Sequence, residues 1–177
     1  MGIELWYNFL MQILQTYSNA WPQMYEKEAG LIKKTVPSFV DIQHIGSTSI
    51  PFMTSKPIID IAALIESSFE AEKYTKPLES LGYKYYPESS SSERYFFRKG
   101  NPAIFHLSLC YKDRGTFWER QLSFRDYLRT NQESREEYIK LKQDLLKKDP
   151  KGGKAYLSGK TDFVESILEK SKMRHSE

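Results

Sequence analysis

Apolar positions recur along the chain with two different periods, giving a helical start, a strand-rich middle and a helical end. Leu5, Trp6, Phe9, Leu10, Ile13, Leu14 and Tyr17 fall at three- and four-residue spacing, which predicts an amphipathic helix over residues 3–17 with one apolar stripe. A second helix is predicted over 20–35, capped by Ser18 or Asn19, with Trp21, Tyr25, Leu31 and Ile32 turned inward and Pro37 ending it. The middle changes period. Short apolar runs bounded by Gly, Pro and Ser predict strands over 39–45, 58–65, 83–87, 94–99 and 103–111, with a helix over 67–81 capped by Ser68 and closed by Gly82. Helical spacing returns over 116–128, 133–148 and 155–170, the last two separated by the Pro150–Gly153 break. The fold class that follows is α+β: a small mixed sheet packed by N-terminal and C-terminal helices.

One stretch inside this pattern demands chemistry. His44-Ile45-Gly46-Ser47-Thr48-Ser49 ends one apolar run, and Lys56-Pro57-Ile58-Ile59-Asp60-Ile61 opens the next. An ionised Asp60 within a buried strand is costly unless something pairs with it. Two roles stay open: a ligand for a divalent cation, or a structural carboxylate paired with Lys56 or an arginine. The turn at Gly46, Ser47, Thr48 and Ser49 offers backbone N–H groups and small hydroxyls suited to phosphate oxygens; the alternative is an ordinary strand-ending turn. Arg94 and Arg98, four apart on one strand, share a face, and Arg's planar fork suits phosphate; the alternative is decoration of an edge strand. Arg125, Asp126 and Lys160 read as an ion-pair network from which Arg125 or Lys160 could reach the site.

The same stretch resembles the GrpB family of the nucleotidyltransferase superfamily. The family pattern His-Ile-Gly-Ser-Thr, Pro, then Lys-Pro-Ile-Ile-Asp-Ile is met by His44 to Thr48, Pro51 and Lys56 to Ile61. Further likeness lies at Phe96-Phe97-Arg98-Lys99-Gly100, His106-Leu107-Ser108-Leu109 and Phe124-Arg125-Asp126-Tyr127-Leu128, so the resemblance covers about 20–170. It implies a nucleotidyltransferase-like core and three expectations of function: transfer of a nucleoside monophosphate from a nucleoside triphosphate to an acceptor; a nucleotide- or phosphate-binding module without transferase activity; or a structural, partner-binding domain. It implies Mg or Mn on Asp60, with Lys56 among the phosphate-binding residues. It also places His106 and Ser108 on the strand where the superfamily often carries a further acid, with His106 as a proton carrier or hydrogen-bond partner and His44 as a similar candidate. The pattern departs at Ala62, where the second acid of a metal-binding pair belongs.

Composition bounds the rest. At 177 residues and 40% hydrophobic content, a single domain over 1–177 is expected, with the first 18 residues as an extra helix. The N-terminus shows no basic leader followed by an apolar region, and no apolar run approaches a membrane span. The lone Cys110 excludes an internal disulfide and reads as a packed thiol. A cytoplasmic protein without membrane attachment is expected. The net charge of +3 comes from the last third, with signs alternating along helices, which gives no nucleic-acid signal. The expected partner is a nucleotide or other phosphorylated small molecule, and the N-terminal stripe suits either the body of the domain or a homodimer contact.

Overall fold

The computed structural model describes residues 14–150 and 152–174. Five strands form one mixed sheet: β1 (Asp41–Ile45), β2 (Ile59–Ile65), β3 (Tyr83–Tyr85), β4 (Arg94–Lys99) and β5 (Phe105–Tyr111), in the order β1-β2-β5-β4-β3. Only β2 and β5 run parallel; the other neighbours are antiparallel. The register places Asp60 opposite Ile45 on one side and His106 on the other, and His106 in turn opposite Arg98. Because side chains alternate along strands, Asp60, His106 and Arg98 share one face.

The opposite face carries the main core. Ile42, Ile61, Ala63, Phe97, Leu107 and Leu109 are buried there beneath α1 (Ala20–Thr35) and the segment that follows β2. That segment is a 3₁₀ turn over Ser68–Tyr74 followed by α2 (Thr75–Ser80), rather than one continuous helix. Its cap is Ser67, not Ser68: the Ser67 hydroxyl accepts from Phe69 N–H at 3.3 Å, and Asp113 holds Ser67 and Ser68 from outside. In α1, Trp21 and Ile32 are buried as expected, but Leu31 is 41% exposed. The inward row runs through Glu28, Ala29 and Ile32 instead, and a carboxylate is tolerated there because Lys99 reaches Glu28 at 2.7 Å.

The C-terminal helices cover the near face. They are α3 (Phe117–Thr130), α4 (Gln132–Lys148), α5 (Lys154–Ser158) and α6 (Thr161–Arg174). The predicted helix over 155–170 is broken at Gly159 and Lys160. The helices build a second apolar cluster with Ile50, Met53, Phe124, Leu128, Tyr138 and Ile167. Trp118 closes a third over Ile45, Ala62 and Cys110. Burial pushes the Cys110 thiol up to about 12, which suits a packing role. The predicted N-terminal helix lies mostly outside the described residues. Its last part, 14–17, is not helical: Gln15 exchanges backbone bonds with Ser55, since those N–H groups are used across the chain rather than along it. Among the described residues no helix is long and apolar enough to cross a membrane.

Candidate functional site

A cavity of about 490 Å³ opens between the Asp60 face of the sheet and the helices α4 and α5. Lys56, Asp60, Arg98, His106, Lys142 and Lys160 all line it, as do Ser47, Tyr138 and Tyr156. The turn after β1 makes this possible. Gly46 has φ +68°, and a Cβ on it would overlap the Asp60 carboxylate. Only glycine fits, both for the backbone angle and for the close approach. The chain then enters a 3₁₀ turn over Ser47–Ser49. Ser47 faces the cavity, but Thr48 and Ser49 do not. They are buried, with the Thr48 hydroxyl donating to Ile58 O at 3.1 Å and that of Ser49 to Gly46 O at 2.6 Å. Their hydroxyls lock the loop rather than offer themselves to a ligand.

Asp60 is paired with His106, Oδ1 to Nδ1 at 3.0 Å. The sequence reading allowed Lys56 or an arginine as partner and kept His106 as a hydrogen-bond partner; the β2–β5 register makes it the histidine. Since the carboxylate accepts from Nδ1–H, a neutral His106 keeps its lone pair on Nε2. His44 lies on the other face. It pairs in register with Ile61, stacks on Tyr25 at 4.8 Å and contacts the Thr48 hydroxyl at 3.0 Å. Thr48 spends its proton on Ile58, so His44 Nε2–H must donate to it. Burial lowers the His44 pKa to about 4. It supports the turn from behind and does not line the cavity.

The cations divide in the same way. Arg98 lines the cavity, its guanidinium 4.5 Å over Tyr86 and its Nε buried without a hydrogen-bond partner among the described residues. Arg94 turns away: it donates to Ser89 O at 3.1 Å and to Ser108 at 3.4 Å, and lies between Phe96 and Phe117. Ser108 is buried beneath it. Arg125 donates to Gln43 Oε1 and His44 O, each at 3.0 Å, and pairs with Asp126, so it fastens α3 to β1. Lys56 and Lys160 lie over the Tyr156 ring at 5.0 and 4.4 Å, and burial lowers the pKa of both.

Lys142 is the residue the sequence reading missed, together with Tyr138 and Tyr156. It is 2% exposed, donates to Thr54 O, and lies 3.3 Å from Ser47 Oγ. Burial, with Lys160 nearby, lowers its pKa to about 7. The usable signal was its position one helical turn after the inward-facing Tyr138.

Mg or Mn on Asp60 needs several oxygen donors. Asp60 is one carboxylate, already bonded to His106 and ringed by cations. Ala62 is fully buried in the apolar cluster under Trp118, so the second acid of the pair is absent. Among the described residues no three His, Cys, Asp or Glu side chains come together to hold an ion. The residues present do not fit a two-metal centre.

Residues 12–170 match the family model described as GrpB protein, and the chain belongs to that family. It is 34% identical to UPF0157 protein PA4798 of Pseudomonas aeruginosa over 84% of this chain and 63% of that one. It is 32% identical to UPF0157 protein YqkA of Bacillus subtilis over 88% of this chain but only 46% of that one, so it spans less than two thirds of both relatives. Glutamate-rich protein GrpB of Alkalihalophilus pseudofirmus is 34% identical over 88% and 93% of the two chains. The crystal structure of conserved protein GrpB from Enterococcus faecalis superposes with a TM-score of 0.84 at 30% identity, covering 93% of this chain and all of that one. A structure of Cid1 in complex with the UTP analogue UMPNPP has a TM-score of 0.48 at 14% identity, over 83% of this chain and 48% of that one.

Proposed function

We propose that this protein binds a phosphorylated small molecule, nucleotides among them, in the cavity between the sheet and α4–α5, without two-metal nucleotidyl transfer. The observation that carries this reading is the excess of positive charge. Lys56, Arg98 and Lys160 line one cavity, and none of the ion pairs among the described residues includes them. Partly buried cations whose charge is only partly offset, by Asp149 for Lys56 and by Asp60 for Lys160, cost stability that a bound anion returns. Phosphate oxygens suit both the Arg98 fork and the two ammonium groups. Asp60 holds His106 in one orientation and leaves the three cations to the ligand. The resemblance to nucleotidyltransferases favours a transferase instead, and that reading requires a metal site for which Asp60 alone is too little.

The test is a melting series with inorganic phosphate, pyrophosphate and ATP, each with and without Mg or Mn. A ligand at one hundred times its dissociation constant adds about 2.7 kcal/mol, which in a chain of this size raises the melting point by roughly 5–10 °C. Pyrophosphate and ATP are expected to shift the melt without metal, and the double variant Lys56→Gln, Lys160→Gln to lose the shift. No shift with any of the three ligands sinks the reading. Pyrophosphate release from ATP that needs the metal and stops in Asp60→Asn would restore the transferase.

A further inference from the structure

Among the described residues Lys142 is the one buried lysine, and unlike the partly exposed Lys99 it has no counterion. Lys99 is held by Glu28 at 2.7 Å. Lys142, at 2% exposure, takes part in none of the ion pairs among the described residues. Its partners are a carbonyl oxygen of Thr54 and the Ser47 hydroxyl, both neutral. The Tyr138 ring lies 4.8 Å from its ammonium nitrogen, and the residue lines the wall of the anion cavity with Lys160. An amine that is desolvated, unpaired and next to another cation is kept neutral, and a neutral lysine is a nucleophile. The partners fit that state: two N–H bonds serve the nearby oxygens or the cavity, and one lone pair stays on Nζ.

We propose that Lys142 captures the carbonyl group of a phosphorylated aldehyde or ketone as a Schiff base, with the phosphate held by Lys56, Arg98 and Lys160. The proposal rests on the anion-binding reading for its phosphate and adds the carbonyl as a second recognised group. The Nζ lone pair adds to the carbonyl carbon, and both amine protons leave with the oxygen as water. A carbon–nitrogen double bond forms, nothing is oxidised or reduced, and no co-reactant is needed. The Asp60–His106 pair lines the same cavity, where imidazole suits the proton transfers of addition and dehydration.

The experiment traps the adduct. The full chain is incubated at neutral pH with glyceraldehyde 3-phosphate and sodium cyanoborohydride, which fixes an imine as a secondary amine, and modified lysines are mapped by mass spectrometry. Unphosphorylated glyceraldehyde serves as the control, and pyrophosphate as competitor. At neutral pH an ordinary lysine is neutral in roughly one molecule per thousand, whereas a pKa of about 7 leaves half of the Lys142 amines reactive. The phosphorylated probe is expected to label Lys142 at least about tenfold above an average lysine, with pyrophosphate slowing the reaction. Mapping the parent chain identifies the site even if Lys142→Met folds poorly; where that variant folds, the label should vanish. Label spread over surface lysines alike for both aldehydes overturns the proposal. If pyrophosphate shifts the melting point while Lys142 stays unmodified, the anion site survives and the amine chemistry falls. If Lys142 is labelled equally by both aldehydes and pyrophosphate changes neither labelling nor melting, the phosphate recognition falls.

Discussion

On the α1 side of the sheet, Lys99 lies against Glu28 at 2.7 Å, over the Tyr83 and Phe105 rings. On the α4 side, Lys142 is more deeply buried, Lys56, Arg98 and Lys160 stand near it, and the single carboxylate is committed to His106. The same five strands supply both faces. One neutralises its buried charge within the fold, as a stable core requires. The other leaves several cations facing an open cavity. The difference separates residues that hold the protein together from residues that cost it stability and are explained by a ligand. It also explains why the two histidines on the strands flanking β2 behave differently: His44 is enclosed between Tyr25 and Thr48 on the core face, whereas His106 meets Asp60 at the cavity.

Substitutions on the two faces should therefore diverge. The largest effect is expected for Leu107→Ala in the core face, where a side chain with no exposed surface leaves a void; about 3–4 kcal/mol should be lost, read from urea unfolding. A loss below about 1 kcal/mol would show that this face collapses around the cavity. Next comes Glu28→Gln, which strands Lys99. A fully buried partner would cost about 3–5 kcal/mol. The Lys99 side chain is 26% exposed, so about 2–3 kcal/mol is expected, with a fall of roughly 4–12 °C in melting point. An unchanged melting point would mean that Lys99 escapes to water and the two faces are not so unlike.

The smallest effect is the one with the opposite sign. Lys142 has its pKa lowered from 10.5 to about 7 in the folded chain, so between these values the unfolded state binds more protons and stability rises with pH. Below pH 7 the buried charge imposes its full penalty; above, it is relieved. Lys142→Met removes this dependence. Its stability relative to the parent should drop by on the order of 2 kcal/mol between pH 6 and pH 9, measured by denaturant melts at both values. Parallel curves for the two proteins would show that Lys142 stays solvated and charged, and would remove the contrast between the faces.

The sequence by itself determined the strands and the turn. Short apolar runs marked β2, β4 and β5 to within two residues, because each strand has a buried apolar centre. The family resemblance marked His106 as a candidate partner, which the β2–β5 register then put beside Asp60, and the Gly-Ser step marked the turn that lets Asp60 approach. The Arg94–Arg98 pair shows the limit of that rule: sharing a face did not bring both to the cavity, since Phe96 and Phe117 hold Arg94 aside. Only the tertiary structure decided which cations converge. Lys142 meets Ser47 across 95 positions of chain, and Lys160 reaches the cavity because the last helical stretch breaks beside it. Strand and helix periodicity say which side chains face inward, but whether a lysine there finds a carboxylate, as Lys99 on β4 does, or only neutral oxygens, as Lys142 on α4 does, depends on contacts distant in sequence, and no local pattern carries that information.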